Sequence, residues 1–152
     1  MYLNDDGRFF NEVARSSGLG AHQLLGWGVA FTDVDADGLP DLTMANGHVY
    51  PEIDRSKLGE QYRQLTLLYR NLGGGKFADI TASAGAPFRV ARPARGLAVG
   101  DLDGDGRLDL LCGSLKRHHD ASHGDGQELL VAARPGVGHG RVDFDRRAGV
   151  IV

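Results

Sequence analysis

A pattern that occurs twice along the chain restricts its possible folds more than any other feature. Residues 2–4 align with residues 69–71 at a spacing of 67, and residues 28–33 align with residues 96–101 at a spacing of 68. Each copy ends in an aspartate-rich loop followed by an Asp-Leu step, Asp41-Leu42 and Asp109-Leu110. Recurrence at a fixed spacing is typical of proteins that stack copies of one supersecondary unit. The chain is therefore predicted to contain two equivalent structural units.

Short strands joined by tight turns are predicted within each unit. Glycine accounts for 23 of the 152 residues, and the sequences at residues 5–7 and 73–75 are strong turn signals. Four short antiparallel strands per repeat are typical of a β-propeller blade, and a closed propeller needs about four to eight blades. The predicted fold class is therefore all-β, a partial β-propeller of about two four-stranded antiparallel blades. The predicted strands span residues 1–4, 9–14, 26–32 and 41–45 in the first unit, and residues 67–71, 76–81, 95–100 and 109–113 in the second.

The chain divides into four segments on this basis. Residues 1–47 form the first repeat, residues 67–113 form the second, and residues 48–66 form a surface excursion between them. A helical turn is predicted within the excursion at residues 57–63. Residues 114–152 are predicted to form an irregular tail, because strand-like alternation ends after Gly113 and four of the six histidines lie there.

Two nine-residue loops carry the same pattern, D-x-D-x-D-G-x-x-D. Ca²⁺ is a hard cation that takes about six to eight oxygen ligands, and carboxylates at positions 1, 3 and 5 of a tight loop converge on one point. Glycine at position 6 permits the sharp bend, the carbonyl group at position 7 can add an oxygen, and the aspartate at position 9 can close the ring directly or through water. Without a cation, these carboxylates would repel each other. The predicted ligands of two Ca²⁺ sites are Asp33, Asp35, Asp37, Leu39 and Asp41 in loop one, and Asp101, Asp103, Asp105, Arg107 and Asp109 in loop two.

Other interpretations of the loops are less favoured. Solvated acidic turns are common, but two copies at matching repeat positions weigh against them. An EF-hand needs flanking helices and a glutamate at position 12, whereas position 12 is Met44 or Cys112 here and the flanking sequences are strand-like. Mg²⁺ keeps several of its waters, and Zn²⁺ prefers histidine and cysteine ligands that the loops do not offer. The sequence therefore favours Ca²⁺ in hairpin loops between the third and fourth strands of each unit.

Three segments carry a family resemblance: LYRNLGGGKF at residues 68–77, RGLAVGD at residues 95–101 and ANGHVYP at residues 45–51. On these residues the chain resembles the FG-GAP/VCBS repeat proteins, whose blades carry Asp-rich Ca²⁺ loops as in integrin α-subunits. More closely, it is similar to bacterial relatives of cartilage acidic protein, the group that often ends in an ASPIC/UnbV domain. The resemblance covers about residues 1–113.

This resemblance implies structural Ca²⁺ binding in an extracytoplasmic scaffold or adhesion-like interaction module. Such a module would be secreted, periplasmic or on the cell surface, although no signal peptide is visible at the start of the sequence. Because two repeats cannot close a propeller, the chain is expected to be a fragment, with the remaining blades of a longer parent chain as its partner. Its protein or carbohydrate ligand is not identified by the sequence.

Charge, cysteine content and motifs argue against several other classes. The net charge of −3 does not indicate a basic surface for nucleic acid. The sequence also contains no run of about 18 apolar residues, the length needed to span a membrane. The single cysteine, Cys112, cannot form an internal disulfide.

No enzyme is predicted, because the sequence shows neither a nucleophile elbow nor a phosphate-binding glycine loop. The alternative is a fragment of a metal-dependent hydrolase or lyase built on a β-propeller. His118, His119, Asp120 and His123 could bind a further metal. A solvated tail is the favoured interpretation of this group, because the run lies in neither a helical nor a strand-like context.

Overall fold

Short strands separated by glycine-rich turns account for the regular structure of the chain. The computed structural model describes residues 1–20, 22–102, 104, 106–116, 126–132, 144–145 and 150–151. Within these residues the fold is all-β, with antiparallel sheets, short 3-10 helices and no α-helix. None of those helices has the length and apolar character needed to cross a membrane. The strands are β1 (Tyr2–Asp5), β2 (Phe9–Glu12), β3 (Gly26–Thr32), β4 (Asp41–Asn46), β5 (Leu67–Asn71), β6 (Phe77–Asp79), β7 (Ala94–Gly100), β8 (Asp109–Lys116), β9 (Gly126–Ala132), β10 (Phe144–Asp145) and β11 (Val150–Ile151).

The sheets cut across the sequence repeat. β1 and β2 form a separate two-stranded sheet, whereas β3 and β4 join β5 and β6 in a four-stranded sheet of order β3-β4-β5-β6. The prediction that the four strands of one sequence unit form one sheet is therefore wrong. After β4 the chain returns through residues 47–66, and β5 then pairs along the open edge of β4, with Leu42 opposite Tyr69 and Thr43 opposite Leu68. The described strands do not form a closed propeller.

The next sheet has the order β7-β8-β9, so it contains three described strands instead of the predicted four, and only β7 and β8 coincide with strands predicted for the second unit. β9 belongs to residues 114–152, which were predicted to be irregular, and so do the two-residue strands β10 and β11. The register of β9 repeats that of β5, because Leu110 pairs with Ala132 as Leu42 pairs with Tyr69. β9 thus occupies the position in its sheet that β5 occupies in the first. The repeat comparison missed β9 because its sequence lacks the Tyr-Arg-Asn pattern of β5.

Residues 48–66 form an irregular connection between β4 and β5. A 3-10 helix spans Pro51–Arg55, whereas the helical turn was predicted at residues 57–63. Proline at the first helical position fixes φ and lacks an N–H that would go unpaired there, so the turn begins at Pro51. The His48 N–H donates to the Tyr62 carbonyl at 2.9 Å, and the His48 ring lies 3.2 Å from the Glu60 carboxylate. These contacts tie the two ends of the connection together and bring β5 alongside β4.

The core consists of three small clusters rather than one large one. Two of them lie between the four-stranded sheet and the β7-β8-β9 sheet, and the third covers the opposite face of the four-stranded sheet. Contact between the sheets is close, because small residues of the first sheet face the second. The buried members are Leu68, Ala84, Phe88 and Leu110 in the first cluster, Ala45, Ala94 and Cys112 in the second, and Leu42, Leu67 and Tyr69 in the third.

Cys112 offers a test of the packing between these sheets. Its side chain is 1% exposed, and its sulfur lies 3.7 Å from the Thr66 hydroxyl oxygen. Burial raises the pKa of the Cys112 thiol, which keeps it protonated and unreactive. We expect the reagent DTNB to label the folded chain at least about 100-fold more slowly than the chain unfolded in urea. Equal labelling rates in the two conditions would contradict the packed interface.

Candidate metal centre

Loop one brings three of its predicted ligands together at the tip of the β3–β4 hairpin. Asp33, Asp35 and Asp37 each offer a carboxylate oxygen, and these oxygens lie within 4.8 Å of one another. Oxygens bound to one Ca²⁺ lie about 2.3–2.6 Å from the ion, so two of them can be separated by as much as about 5 Å. The three carboxylates therefore fit a single Ca²⁺ ion, and their exposure leaves room for water as a further ligand. In the described part of the chain, no other group of three or more histidine, cysteine or carboxylate side chains has this spacing.

The loop backbone explains why these carboxylates converge. Asp33 accepts the Asp37 N–H at 3.0 Å and the Gly38 N–H at 2.9 Å, so one side chain holds the turn. Gly38 has a φ of 85°, and Ala36 has a φ of 60°, which lie in the left-handed region that favours glycine. The Asp37 carboxylate in turn accepts a hydrogen bond from the Leu39 N–H at 2.9 Å. The carbonyl oxygen of Leu39 stays a predicted ligand.

Asp41 occupies a different position from the other loop-one aspartates. Its side chain is fully buried and lies outside the three-carboxylate group. One of its oxygens accepts the Val34 N–H at 3.0 Å, and the other accepts the Asn71 N–H at 2.7 Å. Asp41 thus joins the start of the loop to the end of β5. This arrangement makes it a structural bridge, and its direct or water-mediated role at a metal stays a prediction.

Arg70 adds a positive charge to loop one from the second sequence unit. Its Nε atom lies 2.8 Å from Asp35 Oδ2, and its Nη2 atom lies 3.2 Å from Asp37 Oδ2. A hydrogen bond from the Leu39 backbone and the interaction with Arg70 hold the pKa of Asp37 below its usual value. The interactions with Asp37 and Asp35 raise the pKa of the Arg70 guanidinium in turn.

The search for ligands within each loop missed Arg70 and Asn71. Their backbone positions follow from the strand register, because Leu42 pairs with Tyr69 and the next residues along both strands are then Asp41 and Arg70. The signal that could have found them is the Tyr-Arg-Asn triplet of residues 69–71, once β5 is known to pair with β4.

Loop two is folded like loop one wherever it is described. Asp101 accepts the Gly106 N–H at 2.8 Å, which matches the bond from Gly38 to Asp33. It also accepts the Gly104 N–H at 2.8 Å, one position earlier in the loop than the Asp37 N–H that Asp33 accepts. Asp109 is buried and accepts the Leu102 N–H at 2.9 Å, which matches the bond from Val34 to Asp41. The metal-binding roles of the loop-two ligands stay predictions. Several predicted ligands lie outside the described residues: Asp103 and Asp105 in this loop, and His118, His119, Asp120 and His123 in the tail.

A second polar contact links the segment before β3 to β6. His22 Nε2 lies 2.7 Å from Asp79 Oδ2. Burial raises the pKa of Asp79, but hydrogen bonds from Thr81 and from His22 outweigh burial and leave the pKa below its usual value. Leu19 and Leu24 pack against one face of the four-stranded sheet, and the contact of His22 with Asp79 ties the same stretch of chain to β6 at the edge of that sheet.

One family model matches part of the chain. Residues 59–112 match the model of an FG-GAP-like repeat, a segment that includes β5, β6, β7, loop two and the first part of β8. This match supports the FG-GAP resemblance and indicates a structural or adhesion-like repeat module. The closer likeness to cartilage acidic proteins stays a prediction. No curated protein matches the chain.

Proposed function

We propose that the chain is a calcium-binding FG-GAP/VCBS repeat module that serves as an extracytoplasmic structural or interaction scaffold. The observation that carries this proposal is the group of three exposed carboxylates, Asp33, Asp35 and Asp37, within 4.8 Å at a hairpin tip. A hard divalent cation is the ligand that best matches an all-oxygen site of this kind. The repetition of the same backbone bonds in loop two supports a second site there.

Calcium would act by fixing the geometry of the hairpin rather than by taking part in a reaction. A bound cation cancels the repulsion between the carboxylates of the loop. Because Asp41 in the same loop also holds Asn71 at the end of β5, fixing the loop fixes the junction between three strands. The proposed role is therefore structural, and no catalytic step is assigned to the site.

The open surfaces at the start of the chain support a partner built from similar repeats. Tyr2 aligns with Tyr69, yet Tyr2 is 68% exposed and Tyr69 is 1% exposed. Tyr69 is buried because it packs with Leu42 and Leu67 in the cluster on one face of the four-stranded sheet, whereas β1 lies in a separate two-stranded sheet with β2. Phe9 and Phe10 are also exposed, which is costly for large apolar side chains. We assign these surfaces to contact with the remaining blades of a longer parent chain.

Calcium titration of the purified chain tests the proposal. Extracellular modules bind Ca²⁺ with dissociation constants of about 10⁻⁴–10⁻³ M, and binding to the folded state alone raises the melting temperature. We expect Ca²⁺ to raise the melting temperature relative to chelator, and Asp35→Asn to remove the contribution of loop one to that rise. In chelator, Asp35→Asn should melt close to wild type, because an exposed ion pair contributes little.

Asp6→Asn is the matched control for this experiment. Asp6 is an exposed aspartate with a φ of 50° in the β1–β2 turn, a backbone conformation that asparagine tolerates. The Asp6→Asn change removes the same charge from a turn outside both aspartate loops and should leave calorimetric Ca²⁺ binding unchanged. Absence of Ca²⁺ binding in wild type up to about 10 mM, well above the expected range, would overturn the proposed function. Metal-dependent turnover of a substrate by the wild type would favour the hydrolase or lyase alternative.

A further inference from the structure

A positively charged side chain of the protein already contacts two of the three carboxylates proposed to bind the loop-one cation. The Arg70 guanidinium lies 2.8 Å from Asp35 and 3.2 Å from Asp37, and both contacts are to the Oδ2 atoms. The other Asp37 oxygen is held by the Leu39 N–H, and the Asp33 oxygens are held by the backbone of Asp37 and Gly38. Arg70 therefore binds two of the carboxylate oxygens that the backbone of the loop leaves available.

A divalent cation and this guanidinium compete for these oxygens. Two positive charges held against the same pair of carboxylates repel each other, and a guanidinium that spans two carboxylates covers the lone pairs that a metal would use. Arg70 is 46% exposed, so its side chain is able to swing away from the loop without disturbing the core. We therefore expect Ca²⁺ binding at loop one to displace Arg70 from these oxygens.

We propose that Arg70 is a built-in competitor for the loop-one cation and lowers the affinity of this site for Ca²⁺. This inference rests on the proposed Ca²⁺ site and adds the residue that regulates it. Loop one belongs to the first sequence unit and Arg70 to the second. Replacement of the Arg70 guanidinium by Ca²⁺ would therefore break a contact between the two sequence units.

Site-resolved NMR titration of Arg70→Gln tests the inference. The Gly38 N–H donates to Asp33 and the Gly106 N–H donates to Asp101, so the two glycine amide signals report the loops separately. We expect Arg70→Gln to raise the Ca²⁺ affinity at Gly38 by roughly two- to fivefold, the order expected for removing a partly exposed ion pair, and to leave the affinity at Gly106 unchanged. Arg70→Lys, which keeps the charge but cannot span two carboxylates, should give an intermediate affinity.

Lys76→Gln is the control for loss of one positive charge from the same hairpin. Lys76 donates to the Ser16 carbonyl at 2.8 Å, so its contact is with the backbone before β3 rather than with the loop. The Lys76→Gln variant should bind Ca²⁺ at loop one with the affinity of wild type. Slow DTNB labelling of Cys112 should show that every variant is folded. Melting in chelator and in Ca²⁺ gives a second readout, because Ca²⁺ should raise the melting temperature of Arg70→Gln by more than that of wild type.

The outcomes separate this inference from the proposed function. If wild type binds Ca²⁺ and Arg70→Gln binds it with equal affinity at Gly38, Arg70 is not a competitor although the metal site stands. If neither loop binds Ca²⁺ in any variant, both the inference and the proposed function are wrong. Binding at Gly38 in Arg70→Gln but not in wild type would support the inference most strongly.

Discussion

Replacing Gly28 with alanine is expected to lower the free energy of unfolding by about 2 kcal/mol, the usual order for overpacking a tight contact. An added methyl group would lie 2.8 Å from the backbone nitrogen of Leu97 and 2.8 Å from the Leu97 Cβ atom. A backbone atom cannot rotate away as a flexible side chain can, so β3 and β7 would have to separate. For a chain of this length the melting temperature should fall by roughly 4–8 °C.

Gly96 is the control for this substitution because it aligns with Gly28 in the sequence repeat. Nothing lies within 4 Å of a methyl group added at Gly96, so Gly96→Ala should change the free energy of unfolding by no more than about 0.5 kcal/mol. Urea unfolding followed by the fluorescence of Trp27 measures both variants. Trp27 is suited to this because Arg95 of β7 lies 4.7 Å over its ring. Equal losses in the two variants would mean that the contact between β3 and β7 is not the cause.

The local features of the fold could be predicted from sequence because they depend on neighbouring residues. The turns at residues 5–7 and 73–75 contain the positive φ values that their Asp-Gly and Gly-Gly sequences favour, including 70° at Gly7 and 58° at Gly74. The pairing of strands could not be predicted in the same way. β4 pairs with β5 across residues 47–66, and closing such a connection depends on the packing of the whole sheet rather than on a local pattern.

The candidate site shows the same division between local and distant information. The D-x-D-x-D-G pattern located the three carboxylates that converge, because the spacing and the glycine fix the turn. Arg70 comes from a different sequence unit, and its part in the loop follows only from the pairing of β5 with β4. Asp41 was assigned with the other ligands on its position in the motif, which contains no information on its burial or its backbone hydrogen bonds.

Asp41→Asn is expected to destabilise the chain by about 3 kcal/mol whether or not Ca²⁺ is present. Asp41 is fully buried, and its two oxygens accept N–H groups from Val34 and Asn71 at 3.0 and 2.7 Å. Hydrogen bonds to a charged acceptor are worth about 1.5–3 kcal/mol each. Asparagine keeps one acceptor oxygen, but at the other contact its NH₂ group would face a backbone N–H. Both groups are donors, so that hydrogen bond would be lost. The melting temperature should fall by roughly 6–12 °C in chelator.

Comparison with Asp35→Asn decides between the two roles of the loop-one aspartates. Asp35 is exposed and its partner is Arg70, so its loss should matter only when Ca²⁺ is present. If Asp41 is a structural bridge, Asp41→Asn should lose stability equally in Ca²⁺ and in chelator and still show Ca²⁺ shifts at Gly38. A variant that melts like wild type in chelator and no longer responds to Ca²⁺ at Gly38 would instead show that Asp41 is a ligand. In that case the metal would bind deeper in the hairpin, between the loop and the end of β5.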